Sequence, residues 1–132
     1  MINYTDALRQ HNLKATPQRL EIADILQKCG HITIEKLYEK MLQRFNSISQ
    51  ATIYKNINLM LESAFIQEVK IPNQKTVYEI TKATHSHLAC SSCSSVEDIT
   101  LDLSDITKNI TLYDFQVDRA NLVLTGLCKE CQ

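Results

Sequence analysis

Cys90 and Cys93 form one Cys-x-x-Cys unit and Cys128 and Cys131 another, with 34 residues between the two and Cys29 standing alone. Thiolates are soft, strongly donating ligands, and two of them three positions apart on a tight turn can take adjacent corners of a zinc tetrahedron. One pair is a weak signal. Two pairs supply four thiolates, which fill the coordination sphere, leave no position for water or substrate, and predict a structural zinc ion. Ahead of the first pair, His85-Ser86-His87 offers two imidazoles, Glu79 and Asp98 add carboxylates to either side, and His31 lies farther back. Mixed nitrogen and oxygen donors suit Fe(II), Mn(II) or Zn(II), whereas the all-thiolate set is specific for zinc-like ions. The histidine pair by itself is ambiguous.

Other chemistries fit these residues less well. A thiol redox motif would sit between a strand and a helix, a context that neither cysteine pair has. A zinc deaminase needs His-x-Glu before its cysteines, and His85-Ser86-His87 has no general acid in that register, so no enzyme is expected. A zinc-ribbon adaptor that binds only protein is the alternative of another class. Cys29, at an apolar helix end, is expected to be a small buried hydrophobe.

The chain that must position these groups has 132 residues, enough for one domain or two small ones. With 22% charged residues and only two Gly and two Pro it reads as folded rather than disordered. No apolar run approaches the roughly 20 residues of a membrane span, and no basic start leads into an apolar stretch, so a cytoplasmic location without membrane contact is expected. A reducing compartment also argues against a disulfide framework. The net charge of −1 divides unevenly, as +2 over residues 1–80 and −3 over 81–132. The first part is the better partner for DNA phosphates, though +2 permits that binding without demonstrating it.

After a weak helical pattern over residues 3–11, Thr16 and Pro17 read as N-cap and first position of a helix, with Leu20, Ile22, Ala23, Ile25 and Leu26 as its apolar stripe and Gly30 as its end. Thr33 caps a helix carrying Ile34, Leu37, Tyr38, Met41 and Leu42, and Ser49 caps another that runs to about Glu62. On this last helix Ile53, Ile57, Met60 and Leu61 form the apolar side. Gln50, Thr52, Tyr54, Lys55, Asn56 and Asn58 form a side that could meet base edges and phosphates in a major groove. Residues 65–70 and 76–80 read as strands about a turn at Pro72-Asn73-Gln74, with Lys70 and Lys75 near phosphates. Three helices and a hairpin make a winged helix.

In the other half, Val96–Leu101, Tyr113–Val117 and Leu122–Leu127 read as strands and residues 103–109 as a short helix. The fold class is thus α+β: a winged helix-turn-helix DNA-binding domain over 1–80, a hinge over 81–84, and a small dimerisation and metal-binding domain over 85–132. Such a unit of about 50 residues needs zinc as a stabiliser. Its sheet edges suit a homodimer, which would match a palindromic double-stranded DNA site.

The chain resembles the ferric uptake regulator superfamily over essentially its whole length. The matching segments are Lys14-Ala15-Thr16-Pro17-Gln18-Arg19, His31 ahead of Leu37-Tyr38, Ser49-Gln50-Ala51-Thr52-Ile53-Tyr54, His85-Ser86-His87-Leu88-Ala89-Cys90 with Cys93, and Gly126-Leu127-Cys128 with Cys131. The resemblance implies a homodimeric repressor whose DNA affinity depends on a regulatory ion, Fe2+ or Mn2+, held by His31, Glu79, His85, His87 and Asp98 and bound between the two halves. It assigns the structural Zn2+ to Cys90, Cys93, Cys128 and Cys131. It implies that Lys14 reaches DNA beside the groove and that Tyr54 reads bases, and the expected contact set is Lys14, Gln18, Arg19, Ser49, Gln50, Thr52, Tyr54 and Lys55. A further metal site of many members is mostly lost, with Thr84, Ser86 and Ala120 at its positions and only Asp105 still acidic. Asp98 resembles the peroxide-sensing branch and Glu79 the iron-sensing one. By resemblance to the former, oxidation would strike His31 and His85, and a repressor responding to hydrogen peroxide is expected, with an iron-responsive repressor as the alternative.

Overall fold

A computed structural model describes residues 3–83, 85–117 and 120–132. The chain divides into two compact units, Met1–Thr81 and Lys82–Gln132. Thr84, within the expected hinge, lies outside the described residues.

The first unit runs α1 (Tyr4–Gln10), α2 (Pro17–Cys29), β1 (Ile32–Thr33), α3 (Ile34–Arg44), α4 (Gln50–Glu62), β2 (Ile66–Val69) and β3 (Val77–Ile80). Its helices begin where side chains can satisfy the orphan amides of a first turn. Thr16 Oγ1 accepts from Arg19 N, Thr33 Oγ1 from Lys36 N and Ser49 Oγ from Thr52 N. Gly30 closes α2 at φ 75°, a conformation that costs a residue with a Cβ. Leu8, Ile22, Leu26, Leu37, Met41, Ile53, Ile57, Met60 and Ile66 fill one core. At about 1.5–3 kcal/mol for each fully buried side chain, that core offsets much of the entropy of ordering the helices. β2 and β3 pair antiparallel, Gln67 opposite Glu79, and form the wing. The sheet order is β1-β3-β2. β1 was not expected: two residues are too few to display alternation, and only their pairing with Tyr78 and Val77 makes them a strand.

The second unit runs β4 (Ser86–Cys90), β5 (Val96–Ile99), α5 (Ser104–Ile110), a 3-10 turn (Thr111–Tyr113), β6 (Val123–Gly126) and a second 3-10 turn (Lys129–Cys131). β4 is central, antiparallel to β5 and parallel to β6. Among the described residues of this unit, only Ala89 and Cys90 are buried hydrophobics, while Leu88, Leu101, Ile106, Leu112, Tyr113, Phe115, Leu124 and Leu127 are exposed. That core is too small to hold the unit by itself.

Three expectations are corrected. Tyr113–Val117 is not a strand: Tyr113 closes a 3-10 turn, Asp114 is left-handed at φ 54°, and the place beside β4 is taken by β6. Cys29 is exposed, because Gly30 turns the chain at once and leaves the last helical side chain uncovered. Asn56 is buried on the core side of α4, not displayed on its outer face.

Candidate metal centres and nucleic-acid face

The four paired cysteines meet within the second unit. Cys90 ends β4 and Cys128 follows β6, and because these strands run parallel with Cys90 opposite Gly126, the two Cys-x-x-Cys turns lie side by side. Cys90 N donates to Ser95 O and Ser94 takes a left-handed φ of 63°, which folds the first turn back on itself. The four sulfurs lie within 4.8 Å of one another, and Cys93 Sγ is 3.8 Å from Cys128 Sγ. Ligands on a tetrahedron with Zn–S of about 2.3 Å are about 3.8 Å apart, so the donor set fits zinc. The sulfurs are unequal before any ion binds. Cys90 Sγ accepts from the backbone N–H groups of Cys93 and Cys128, which lower its pKa to about 6. Ser95 lowers Cys93, whereas interaction with the Cys128 sulfur pushes Cys131 up to about 12.

β4 also explains the histidine pair. His85 immediately precedes the strand and His87 lies in it, so the period of two sends both rings to one face, with Asp98 directly opposite His87 on β5. His85 Nε2 and His87 Nε2 lie 3.5 and 3.4 Å from the same Asp98 Oδ1, and their ring centroids are 4.5 Å apart. His85 Nδ1 donates to Ala83 O at 2.8 Å, a bond that fixes the tautomer and offers Nε2 as the donor to a metal. The other oxygen of Asp98 pairs with the Lys82 ammonium, a partner that no motif in the sequence signals.

In the first unit, His31 precedes β1, and the pairing of β1 with β3 brings its Nε2 to 2.7 Å from Glu79 Oε2. Glu79 is 1% exposed, and Gln67, its cross-strand partner on β2, donates to Oε1 at 2.6 Å. A buried carboxylate must be hydrogen-bonded or paired, and this one accepts from Gln67 and faces the His31 imidazole. Gln67 was missed because its role follows from register, which the sequence does not display.

The expected DNA-contacting residues also lie in the first unit. Gln50, Tyr54, Lys55 and Asn58 are exposed along α4, Tyr54 by 49%, and Lys14 is exposed before α2. Gln18 is half-buried. Ser49 and Thr52 spend their hydroxyls on the cap of α4, 3.0 Å apart. Arg19 is half-buried, with Nε donating to Asn56 Oδ1 and Nη1 to Lys14 O, both at 3.1 Å. On the wing, Lys70 lies 3.5 Å from Glu68 and Lys75 3.6 Å from Glu35. Among the described residues, no helix is long and apolar enough to cross a membrane.

Comparisons with known proteins bear on the family and the fold. The sequence pattern of the ferric uptake regulator family matches residues 10–125. Among solved structures, the chain is similar to the ferric uptake regulator of Vibrio cholerae, with a TM-score of 0.79 and 31% identity over 96% of this chain and 100% of that one. It is similar also to the peroxide stress regulator of Campylobacter jejuni, with a TM-score of 0.77 and 32% identity over 98% of this chain and 100% of that one. Among curated proteins, it is 27% identical over 129 residues to the peroxide-responsive repressor PerR of Staphylococcus saprophyticus, covering 96% of this chain and 87% of that protein.

Proposed function

The chain belongs to the ferric uptake regulator family, whose members are metal-responsive transcription regulators and not enzymes, and from that premise we propose that it is a cytoplasmic, homodimeric repressor that binds a palindromic operator. α4 would enter the major groove, with Gln50, Tyr54 and Lys55 toward the bases and phosphates and Lys14 beside the groove. Cys90, Cys93, Cys128 and Cys131 would hold a permanent Zn2+. His31, Glu79, His85, His87 and Asp98 would hold the regulatory Fe2+ or Mn2+. The observation that carries this reading is that donors of the right hardness are already gathered in each unit, His31 with Glu79 and His85 with His87 and Asp98. Ligands drawn from both units would let occupancy set the spacing of two recognition helices. An ion favouring the DNA-binding form about 100-fold would shift the equilibrium by roughly 2.7 kcal/mol, enough for a switch.

Within that role we propose hydrogen peroxide as the signal. An Fe(II) ion held by these residues would supply redox chemistry through which hydrogen peroxide, the oxidant, could add one oxygen to a ligand imidazole and leave as water. His31 and His85 are the residues offered to it, and a ring that has lost basicity holds the ion less well. Asp98 and the similarity to peroxide-responsive proteins support this reading. Glu79, together with the comparable similarity to an iron-responsive regulator, favours a second reading, a repressor that answers to iron alone. One experiment separates them: the Fe(II)-loaded protein is exposed to peroxide and digested, and its peptides are weighed. One added oxygen on the His31 or His85 peptide, with loss of DNA affinity, is expected. Unmodified peptides and unchanged affinity would leave the iron reading.

A further inference from the structure

Asn56 lies on the core side of α4 beside Ile53, Ile57 and Met60, where an apolar side chain would stabilise the fold more cheaply than an amide. Both ends of the amide are engaged. Nδ2 donates to Thr52 O one turn earlier at 3.1 Å, and Oδ1 accepts from Arg19 Nε at 3.1 Å. A guanidinium only donates and a carbonyl only accepts, so a single orientation of the amide satisfies both partners. Arg19 then reaches on from α2, donating through Nη1 to Lys14 O. Lys14 O also accepts from Thr16 N at 3.0 Å, and Arg19 N donates to Thr16 Oγ1. A continuous line of hydrogen bonds thus runs from the middle of α4 through the start of α2 to the backbone that carries the exposed Lys14.

We propose that Asn56 and Arg19 form a strut that sets the distance between Lys14 and α4, so that both are positioning residues for DNA binding, Arg19 acting through its two bonds rather than as a phosphate ligand. This inference rests on the reading of α4 as the recognition helix. A phosphate contact from a loop and base contacts from a helix are made together only if loop and helix keep the spacing of backbone and groove edge. Lys14 sits on a short loop between Leu13, which is buried and donates to Leu8 O, and the Thr16 cap, and the strut holds the carbonyl of Lys14 itself. Without the strut, ordering that loop on DNA costs as much as the Lys14 contact returns, and the contact is not made.

The test is a double-mutant cycle on DNA affinity, read at several salt concentrations. The probe is a labelled duplex selected from a random pool by the Mn(II)-loaded wild-type protein. Asn56→Ala is expected to weaken binding about tenfold and to lower the salt slope by about one per protomer, the signature of one lost phosphate contact. Lys14→Ala should do the same, and the double variant should be no worse than either single one. Arg19→Lys keeps the charge at a half-buried site but cannot make both bonds, so it should match Asn56→Ala in affinity and slope even if the latter folds poorly. A residue that only stabilised the fold would lower the melting temperature and leave affinity and slope unchanged well below it. Losses of Asn56→Ala and Lys14→Ala that add, or an Arg19→Lys variant that binds like wild type, overturn the strut. If Lys14→Ala and Tyr54→Ala bind like wild type, the DNA-binding face itself is wrong and the strut falls with it. If those two lose affinity and the Asn56 and Arg19 variants do not, the strut alone fails.

Discussion

Cys90 and Cys131 show how two residues of one type divide the work of a single centre. Backbone N–H donors hold the Cys90 thiol down, at about 6, while the Cys128 sulfur pushes Cys131 up to about 12. Without zinc the two turns are not held together, so this inequality is lost and uptake of the ion near neutral pH must expel protons from ordinary thiols. Calorimetry of zinc binding to chelated protein, in buffers of different ionisation enthalpy at about pH 7, should show release of about four protons per ion, with affinity falling as pH falls. Release of only about two would show that the turns keep their hydrogen bonds without the ion. For the regulatory set, His85→Ala should keep its zinc and its dimer but lose the gain in DNA affinity on adding Mn(II). Full metal dependence in that variant would remove His85 from the ligand set. At this scale residue type revealed much, because thiolates at a three-residue spacing have few other uses. Gln67 and Lys82 were illegible, since neither the Glu79 nor the Asp98 partnership leaves any trace in residue spacing.

Elements with strong local signals follow the sequence closely. Thr16, Pro17 and Gly30 bound α2 as their backbone preferences require, and Ser49 begins α4. Thr16→Ala should cost about 1 kcal/mol in denaturant unfolding, while Met60→Ala, which opens a cavity in the first unit's core, should cost about 2–5 kcal/mol. If the two losses were equal, the core around Met60 would have to close over the deleted side chain and leave no cavity. Short strands were the harder elements. β4 went unread because His85-Ser86-His87 carries no apolar alternation, although the strand is what turns both imidazoles toward Asp98. Tyr113–Val117 failed in the opposite sense: its aromatic and branched residues suggest a strand, but β6 already occupies the neighbouring edge.

Over the whole molecule the two units are unequal in what holds them. The first has a full apolar core, and the second has only Ala89 and Cys90 buried among its described hydrophobics. Removing zinc should therefore melt residues 82–132 and leave the helices of the first unit folded, as read by limited proteolysis with circular dichroism. Leu112 and Tyr113, at least 80% exposed, and Phe115, at 62%, form apolar surface that a second copy would cover. Phe115→Asp should shift the protein toward monomer in sedimentation, with zinc retained. The amino-acid sequence by itself determined the helices and the wing hairpin of the first unit, the thiolate set and the family, because helix caps, 3.6-residue periodicity and ligand spacing are local properties of the chain. Tertiary structure alone decided which imidazoles face which carboxylate, that Asn56 turns inward to Arg19, and that Cys29 lies outside. Those outcomes depend on strand register and on where the core ends, and both are set by residues far apart in the chain.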